Sequence, residues 1–195
     1  MSRESETLAI QARDDPEAFV ALYDRYYARV YSYIRYRCDD GYITEDLTAQ
    51  VFERLLNVIG RYDPKRAPLE AWLFAIVRNI VTDSLRKERF RLHLPWEALQ
   101  HHSADDPFPE ETAIQNDVRN QLSKSLRTLK DSERDLLGLK YNTGLNNRQI
   151  AELTGLSEQN VGVILFRSIK QLRKLMDDPY MKISSSCIEK KVEHE

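Results

Sequence analysis

Glycine is scarce in this chain, with six residues in 195, and no stretch alternates apolar and polar residues long enough to make a strand. Leucine, arginine and glutamate are common, which together with the lack of glycine favours helix. Cysteine is scarcer still. Cys38 and Cys187 lie far apart with no metal-type spacing, which excludes a disulfide framework and fits a reduced, cytoplasmic protein. No apolar run approaches the ~20 residues of a membrane span, so no membrane insertion is expected. The start of the chain, Met1-Ser2-Arg3-Glu4-Ser5-Glu6, is polar and acidic with no apolar stretch behind it, so no secretory signal is expected. Catalytic triads and phosphate-binding glycine loops are missing as motifs. His93, His101, His102, Asp105, Asp106 and Glu110 suggest a metal-dependent hydrolase on composition alone. They lack a helical i, i+4 ligand pair and lie in the least patterned segment, whereas catalytic metals need fixed geometry. No catalytic residue, metal or cofactor is therefore assigned, and the chain is not read as an enzyme.

The near-neutral total, a formal net charge of -2, hides an uneven distribution. Leu92 to Val118 carries six acids and no Lys or Arg, while Arg119 to Met176 carries eleven basic residues against five acids. A basic half next to an acidic middle suggests nucleic-acid contact, although solvated helix faces give the same count.

Helical signals begin at Asp14-Asp15-Pro16-Glu17, an Asp cap with Pro in the first turn. Phe19, Leu22, Tyr23, Tyr26, Tyr27, Val30, Tyr31 and Ile34 then recur at three and four. After a break at Asp39-Asp40-Gly41, Thr44 is the expected cap of a second helix striped by Leu47, Val51, Leu55 and Val58. A turn at Arg61 to Lys65 precedes a third helix from about Leu69 to Arg89, with Leu69, Leu73, Ile76, Ile80 and Val81 inward. Leu92 to Glu111 carries three prolines and three histidines without period and reads as a linker. Periodicity returns from Thr112 to Met176. Asp131 or Ser132, Asn146 with Gln149, and Ser157 are the expected helix starts there, and Tyr180 to Glu195 is a polar tail. The expectation is an all-α chain of two small helical domains. Residues 1–91 form the first, 92–118 an acidic flexible linker, 119–178 the second, and 179–195 the tail.

The most informative stretch runs from Asn147 to Val161. Ala151 stands where two helices would cross closely, and Gly155, four residues on, suits the left-handed residue of a tight turn. Ile150, Leu156, Val161 and Ile164 or Leu165 supply a shared apolar seam, and Ser157 caps the second helix. This is the pattern of a DNA-binding helix-turn-helix, whose second helix lies in the major groove. An ordinary αα-corner shares the small crossing residue and the glycine turn. Arg134, Lys140, Arg148, Arg167, Lys170, Arg173 and Lys174 around the corner favour the DNA-binding reading, since they can neutralise phosphates.

Two separated blocks resemble the extracytoplasmic-function group (group IV) of RNA polymerase sigma factors, over roughly Ala18 to Met176. The first is Thr44-Glu45-Asp46-Leu47-Thr48-Ala49-Gln50-Val51-Phe52-Glu53-Arg54-Leu55, followed by Trp72 to Asn79 and Asp83-Ser84-Leu85-Arg86-Lys87. The second is Leu126-Arg127-Thr128-Leu129, Glu133-Arg134 and the helix-turn-helix. The resemblance implies a factor that binds core RNA polymerase and directs promoter recognition, opening and transcription initiation. It implies polymerase contacts at Asp46, Leu47, Gln50, Phe52 and Glu53. It places minus-ten contacts at Tyr62, Trp72, Asn79, Asp83, Arg86 and Lys87, with Phe74 nearby, because unpaired bases are held by stacking and by polar groups. It implies minus-thirty-five contacts at Arg148, Ser157, Glu158, Gln159, Asn160, Val163 and Arg167, where amide and carboxylate side chains suit base edges. An anti-sigma protein is an expected partner by resemblance alone. The chain departs from the family at Gly162, Val163 and Ile164, where the family commonly carries a basic residue, a small one and another basic one. Gly162 is then a candidate point of close backbone approach to DNA.

Two other readings remain at this level. A helix-turn-helix regulator that does not hold polymerase explains the second block and leaves the first unexplained. A two-domain protein–protein adaptor would need exposed apolar faces and no dependence on DNA.

Overall fold

The computed structural model describes residues 2–38, 40–91 and 121–176. Among these, every regular element is a helix. The front unit comprises α1 (Ser2–Gln11), α2 (Pro16–Cys38), α3 (Gly41–Val58), a 3-10 turn (Ile59–Arg61) and α4 (Leu69–Arg91). The rear unit comprises a helical stretch at 121–127, here α5, with α6 (Asp131–Tyr141), α7 (Asn147–Thr154) and α8 (Glu158–Met176). The expected linker at 92–118, the tail at 179–195, Cys187 and the histidine-rich cluster lie outside the described residues.

Helix α1 escapes the sequence reading, which starts its first helix at Asp14. The reason is its buried face, built from Ser5 and Ala9, with Ala12 just past its end and Leu8 half-buried. Small residues pack closely on α2 and leave no large apolar stripe to detect. Arg25 of α2 ties it down, donating to Ser5 Oγ at 3.1 Å and pairing with Glu4 at 3.2 Å.

Helix α2 starts as its cap signal implies, with Asp15 Oδ1 accepting from the Glu17 N–H at 2.9 Å. Leu22, Tyr26, Val30, Tyr33 and Ile34 are fully buried along it. Tyr26 Oη donates to Glu70 Oε1 of α4 at 3.0 Å. The cap of α3 is Asp40 rather than the expected Thr44. Asp40 is extended and its Oδ1 accepts from the Ile43 N–H at 3.0 Å. Thr44 lies inside the helix, fully buried, and its hydroxyl donates back to the Asp40 carbonyl. The helix thus begins as soon as the chain leaves the Asp-Gly break.

Helix α4 also turns differently from the expectation. Leu69, Leu73, Phe74, Val77 and Val81 are fully buried, whereas Ile76 and Ile80 are half-buried. The helix is enclosed on two sides, by α2 and α3 of its own unit and by α7 of the rear unit. A helix covered on two sides has a wider apolar arc than a single stripe predicts.

The two units are packed together. Helix α6 lies on α2 and α7 lies on α4, and the buried apolar residues form one cluster from Ala9 to Leu165.

Candidate nucleic-acid interface

The helix-turn-helix forms at the expected place. Asn146 Oδ1 accepts from the Gln149 N–H at 2.9 Å, and Gln149 Oε1 accepts from the Asn146 N–H at 2.9 Å. This reciprocal pair satisfies two backbone donors that a helix start leaves open. Helix α7 ends at Gly155, with φ 75° and ψ 10°, and the Gly155 N–H donates to the Ala151 carbonyl at 2.9 Å. Ser157 Oγ accepts from the Asn160 N–H at 3.2 Å and starts α8. Ile150, Ala151, Val161 and Leu165 are buried between the two helices, with Leu153, Leu156 and Ile164 packed against them.

This packing fixes which side of α8 is free. Val161, Leu165 and Ser168 face inward. Ser157, Glu158, Gln159, Asn160, Val163 and Arg167, all expected DNA contacts, are exposed. Arg148 is exposed on α7 and pairs with Glu152 at 3.3 Å. The sequence reading misses Phe166, which is 69% exposed. Positions 159, 163, 166 and 170 follow the helical repeat, so Gln159, Val163, Phe166 and Lys170 share one ridge. Counting from the buried Val161 and Leu165 would have found it, because Phe166 stands on the opposite side. Gly162 is half-buried at the edge of this face, where a Cβ built on it would meet Asn147 Nδ2 of α7 at 3.6 Å.

On α4, Asn79, Asp83, Arg86 and Lys87 are exposed along one face, as expected. Two of the three aromatic candidates are not free to stack on bases. Phe74 is fully buried and Tyr62 nearly so, because both fill the front core. The Tyr62 hydroxyl donates to the Ala67 carbonyl at 3.2 Å, which ties down the loop before α4. Burial pushes its phenol up to about 12. Trp72 is half-buried against Tyr62, with ring centroids 5.1 Å apart. Arg61, Lys65 and Arg66 are exposed around that loop and supply positive charge that the sequence reading did not single out.

On α3, Asp46, Gln50 and Glu53 are exposed, and Gln50 Nε2 donates to Asp46 Oδ2 at 2.8 Å. Leu47 and Phe52, expected beside them as contacts, are core residues at 3% and 5% exposure. Phe52 lies under Tyr23, with ring centroids 4.4 Å apart. An amphipathic helix puts contact and support on opposite faces, and these two sit on the supporting face.

Among the described residues no group of three or more His, Cys, Asp or Glu side chains is placed to hold a metal, and no helix is long and apolar enough to cross a membrane. The molecule therefore offers an acidic helix face in front and an exposed helix with a basic end behind.

Residues 22–91 match the family model for sigma-70 region 2, and residues 119–172 match that for sigma-70, region 4. The extracytoplasmic-function (ECF) sigma factor SigK of Mycobacterium sp. (strain KMS) is 31% identical over 145 residues, covering 72% of this chain and 74% of that protein. The chain belongs to the ECF group of RNA polymerase sigma factors. The ECF sigma factor BldN of Streptomyces coelicolor is 29% identical over 164 residues, 84% of this chain and 62% of that protein, so the chain spans less than two thirds of that relative's length. The fold is that of CnrH in its complex with the cytosolic domain of CnrY, with a TM-score of 0.63 at 21% identity over 88% of this chain and 96% of that one. It is also that of RpoE in complex with the anti-sigma factor NepR from Bartonella quintana, with a TM-score of 0.64 at 17% identity over 81% and 96%. Among the described residues this sigma factor is all-helical, as its sequence predicts.

Proposed function

We propose that this sigma factor binds core RNA polymerase through the exposed face of α3, with Asp46, Gln50 and Glu53 as the contacts, and opens promoters that its two units read in turn. An acidic helix face suits a basic partner surface. Asn79, Asp83, Arg86 and Lys87 on α4 would meet the opened minus-ten strand, helped by the basic loop residues Arg61, Lys65 and Arg66. Helix α8 would lie in the major groove of the minus-thirty-five element. There Gln159 and Asn160 pair with base edges, Val163 and Phe166 make apolar contact, and Arg148 and Arg167 hold phosphates. The working division is 1–91 for polymerase and minus-ten contact, 92–118 as tether, and 119–178 for minus-thirty-five contact. The chain acts by binding, without catalysis of its own, in the cytoplasm. An anti-sigma protein is its inhibitor on this reading, since a sigma factor of similar fold, RpoE, has been solved with such a partner.

The observation that carries this reading is the exposed outer face of α8, held by a capped, glycine-turned corner, in the same chain as an exposed acidic face on α3. Run-off transcription tests it, with core polymerase free of other sigma factors and genomic promoter fragments. Specific transcripts that depend on this chain are expected. A chain that binds the duplex fragments but forms no stable complex with core polymerase would be a regulator instead, and the reading would fail.

A further inference from the structure

The reading above sends the two units to separate targets, yet the structure holds them docked. Asp135 of α6 is only 7% exposed. Its Oδ1 accepts from Tyr33 Oη of α2 at 2.6 Å, and its Oδ2 accepts from Arg78 Nε of α4 at 2.7 Å. The buried Arg37 of α2 donates to the Asp131 carbonyl at 3.1 Å, pairs with the Asp131 carboxylate at 3.4 Å, and brings its Nε to 4.0 Å from Asp135. One turn on, Gly138 lies under two rings. A Cβ there would stand 3.0 Å from Tyr36 ring carbons and 3.1 Å from Tyr33. At the end of α6, Asn142 Nδ2 donates to the Ser32 carbonyl at 2.9 Å, and the Arg29 guanidinium donates to the Thr143 carbonyl.

These partners have one thing in common. The groups that satisfy Asp135 all belong to the front unit, while Asp135 itself belongs to the rear. A buried carboxylate is tolerated only where it is paired and hydrogen-bonded. Docking supplies that environment, and separation returns the carboxylate to water. The glycine points the same way, since a surface helix in an isolated unit gains nothing from Gly138 and loses about 1 kcal/mol against alanine. Arg78 directly precedes Asn79 on α4, so the docked Asp135 occupies a guanidinium at the rim of the face assigned to the minus-ten strand. Helix α7 of the helix-turn-helix lies against that same helix.

We propose that the docked arrangement is an autoinhibited resting state of the free chain, latched by Asp135 on Tyr33 and Arg78. Release of α6 from α2 then frees Arg78 for the DNA backbone and lets the two units reach polymerase and promoter together. The inhibitory role rests on the sigma-factor reading, whereas the latch stands on geometry alone.

The test uses the full chain and two variants, Asp135→Asn and Gly138→Leu. Asparagine leaves Arg78 and Arg37 without their buried counter-charge. Leucine is a good helix former that cannot fit beneath Tyr33 and Tyr36, so it opens the dock while strengthening α6 itself. Small-angle scattering reads the dimensions, far-ultraviolet circular dichroism checks that helix content is kept, and titration with core polymerase reads affinity. The wild type is expected to be compact and both variants expanded. A closed-to-open ratio lowered about a hundredfold corresponds to about 3 kcal/mol, in the range for breaking a buried pair. Affinity for polymerase should rise by up to the same factor, because apparent affinity scales with the competent fraction. Unchanged dimensions in both variants, or an expanded wild type, would overturn the latch. Expanded variants with no gain in affinity would overturn the inhibitory role. If neither wild type nor variants bind polymerase, the sigma-factor reading fails and takes the inhibitory role with it, while scattering alone still decides the latch.

Discussion

Replacing Gly155 by alanine isolates the one backbone conformation on which the aim of α8 depends. Gly155 has φ 75° and closes α7 through its bond to the Ala151 carbonyl. A Cβ at Gly155 meets nothing within 4 Å, so no clash with a neighbour contributes. What remains is the cost of a left-handed residue with a side chain, about 1–2 kcal/mol. Gly60 provides the matched control, because a Cβ there also meets nothing within 4 Å. Its φ is not positive, so alanine should stabilise by about 0.4–1 kcal/mol through the unfolded state. At about 2–4 °C per kcal/mol for a chain of this size, Gly155→Ala should lower the melting midpoint by about 2–8 °C and Gly60→Ala should raise it by about 1–4 °C. Gly155→Asn should fall between wild type and Gly155→Ala, since asparagine tolerates the left-handed region. Thermal melts followed by circular dichroism give the midpoints, and fluorescence anisotropy on a promoter duplex should show weaker binding for Gly155→Ala alone. If both alanines shift the midpoint in the same direction, or if asparagine is worse than alanine at 155, the conformational argument is wrong.

Asp40→Ala should cost about 1 kcal/mol in urea denaturation, as loss of an N-cap does, while Glu45→Gln in the exposed first turns of the same helix should stay within about 0.5 kcal/mol. Alanine at Arg167 should lower the slope of log affinity against log salt by about one for the lost phosphate contact. Phe166→Ala should weaken duplex binding with no change of slope, and a changed slope would remove the apolar role given to that ridge. Alkaline titration should destabilise the fold. Burial lifts the Tyr26 phenol from 10.0 to about 12 and the Cys38 thiol from 9.0 to about 11. The folded state therefore holds protons that the unfolded chain releases, so stability is full below pH 9 and is lost as pH rises toward about 11–12. A denaturation midpoint that stays flat from pH 8 to the point of alkaline unfolding would contradict this.

Much of the fold is legible in the sequence because caps and turns are local. Asp15, Asn146 with Gln149, Ser157 and Gly155 act within a few residues of themselves, and each does what its residue type implies. What stays hidden depends on neighbours from elsewhere in the chain. Helix α1 buries alanines and a serine, which carry no periodic signal. Thr44 loses the cap to Asp40 because a helix begins wherever the first satisfied donor allows. Within the candidate site the exposed polar positions are legible and the aromatic ones are not. Tyr62 and Phe74 read as base-stacking groups and Phe52 as a polymerase contact by resemblance, and burial turns all three into supports. A resemblance carries position numbers faithfully, but it does not say which side of a helix a residue occupies.

The docking of the two units follows from the same accounting. Each is small, and small units bury a low fraction of their surface. Tyr33 and Phe74 pack edge to face at 6.3 Å in the front unit, and the Arg29 guanidinium lies 5.3 Å and 5.5 Å from the ring centres of Tyr26 and Phe74. Helix α6 covers this polar and aromatic ground, and the buried cluster runs through both units without a break. The surface that stabilises the free chain is thus also the surface that must part for the units to act apart. Opening is then supported by targets that return the lost contacts, which on the proposed function are polymerase on α3 and DNA on α4 and α8 together. Either target alone should bind weakly, and each should strengthen the other, because both draw on the same open state.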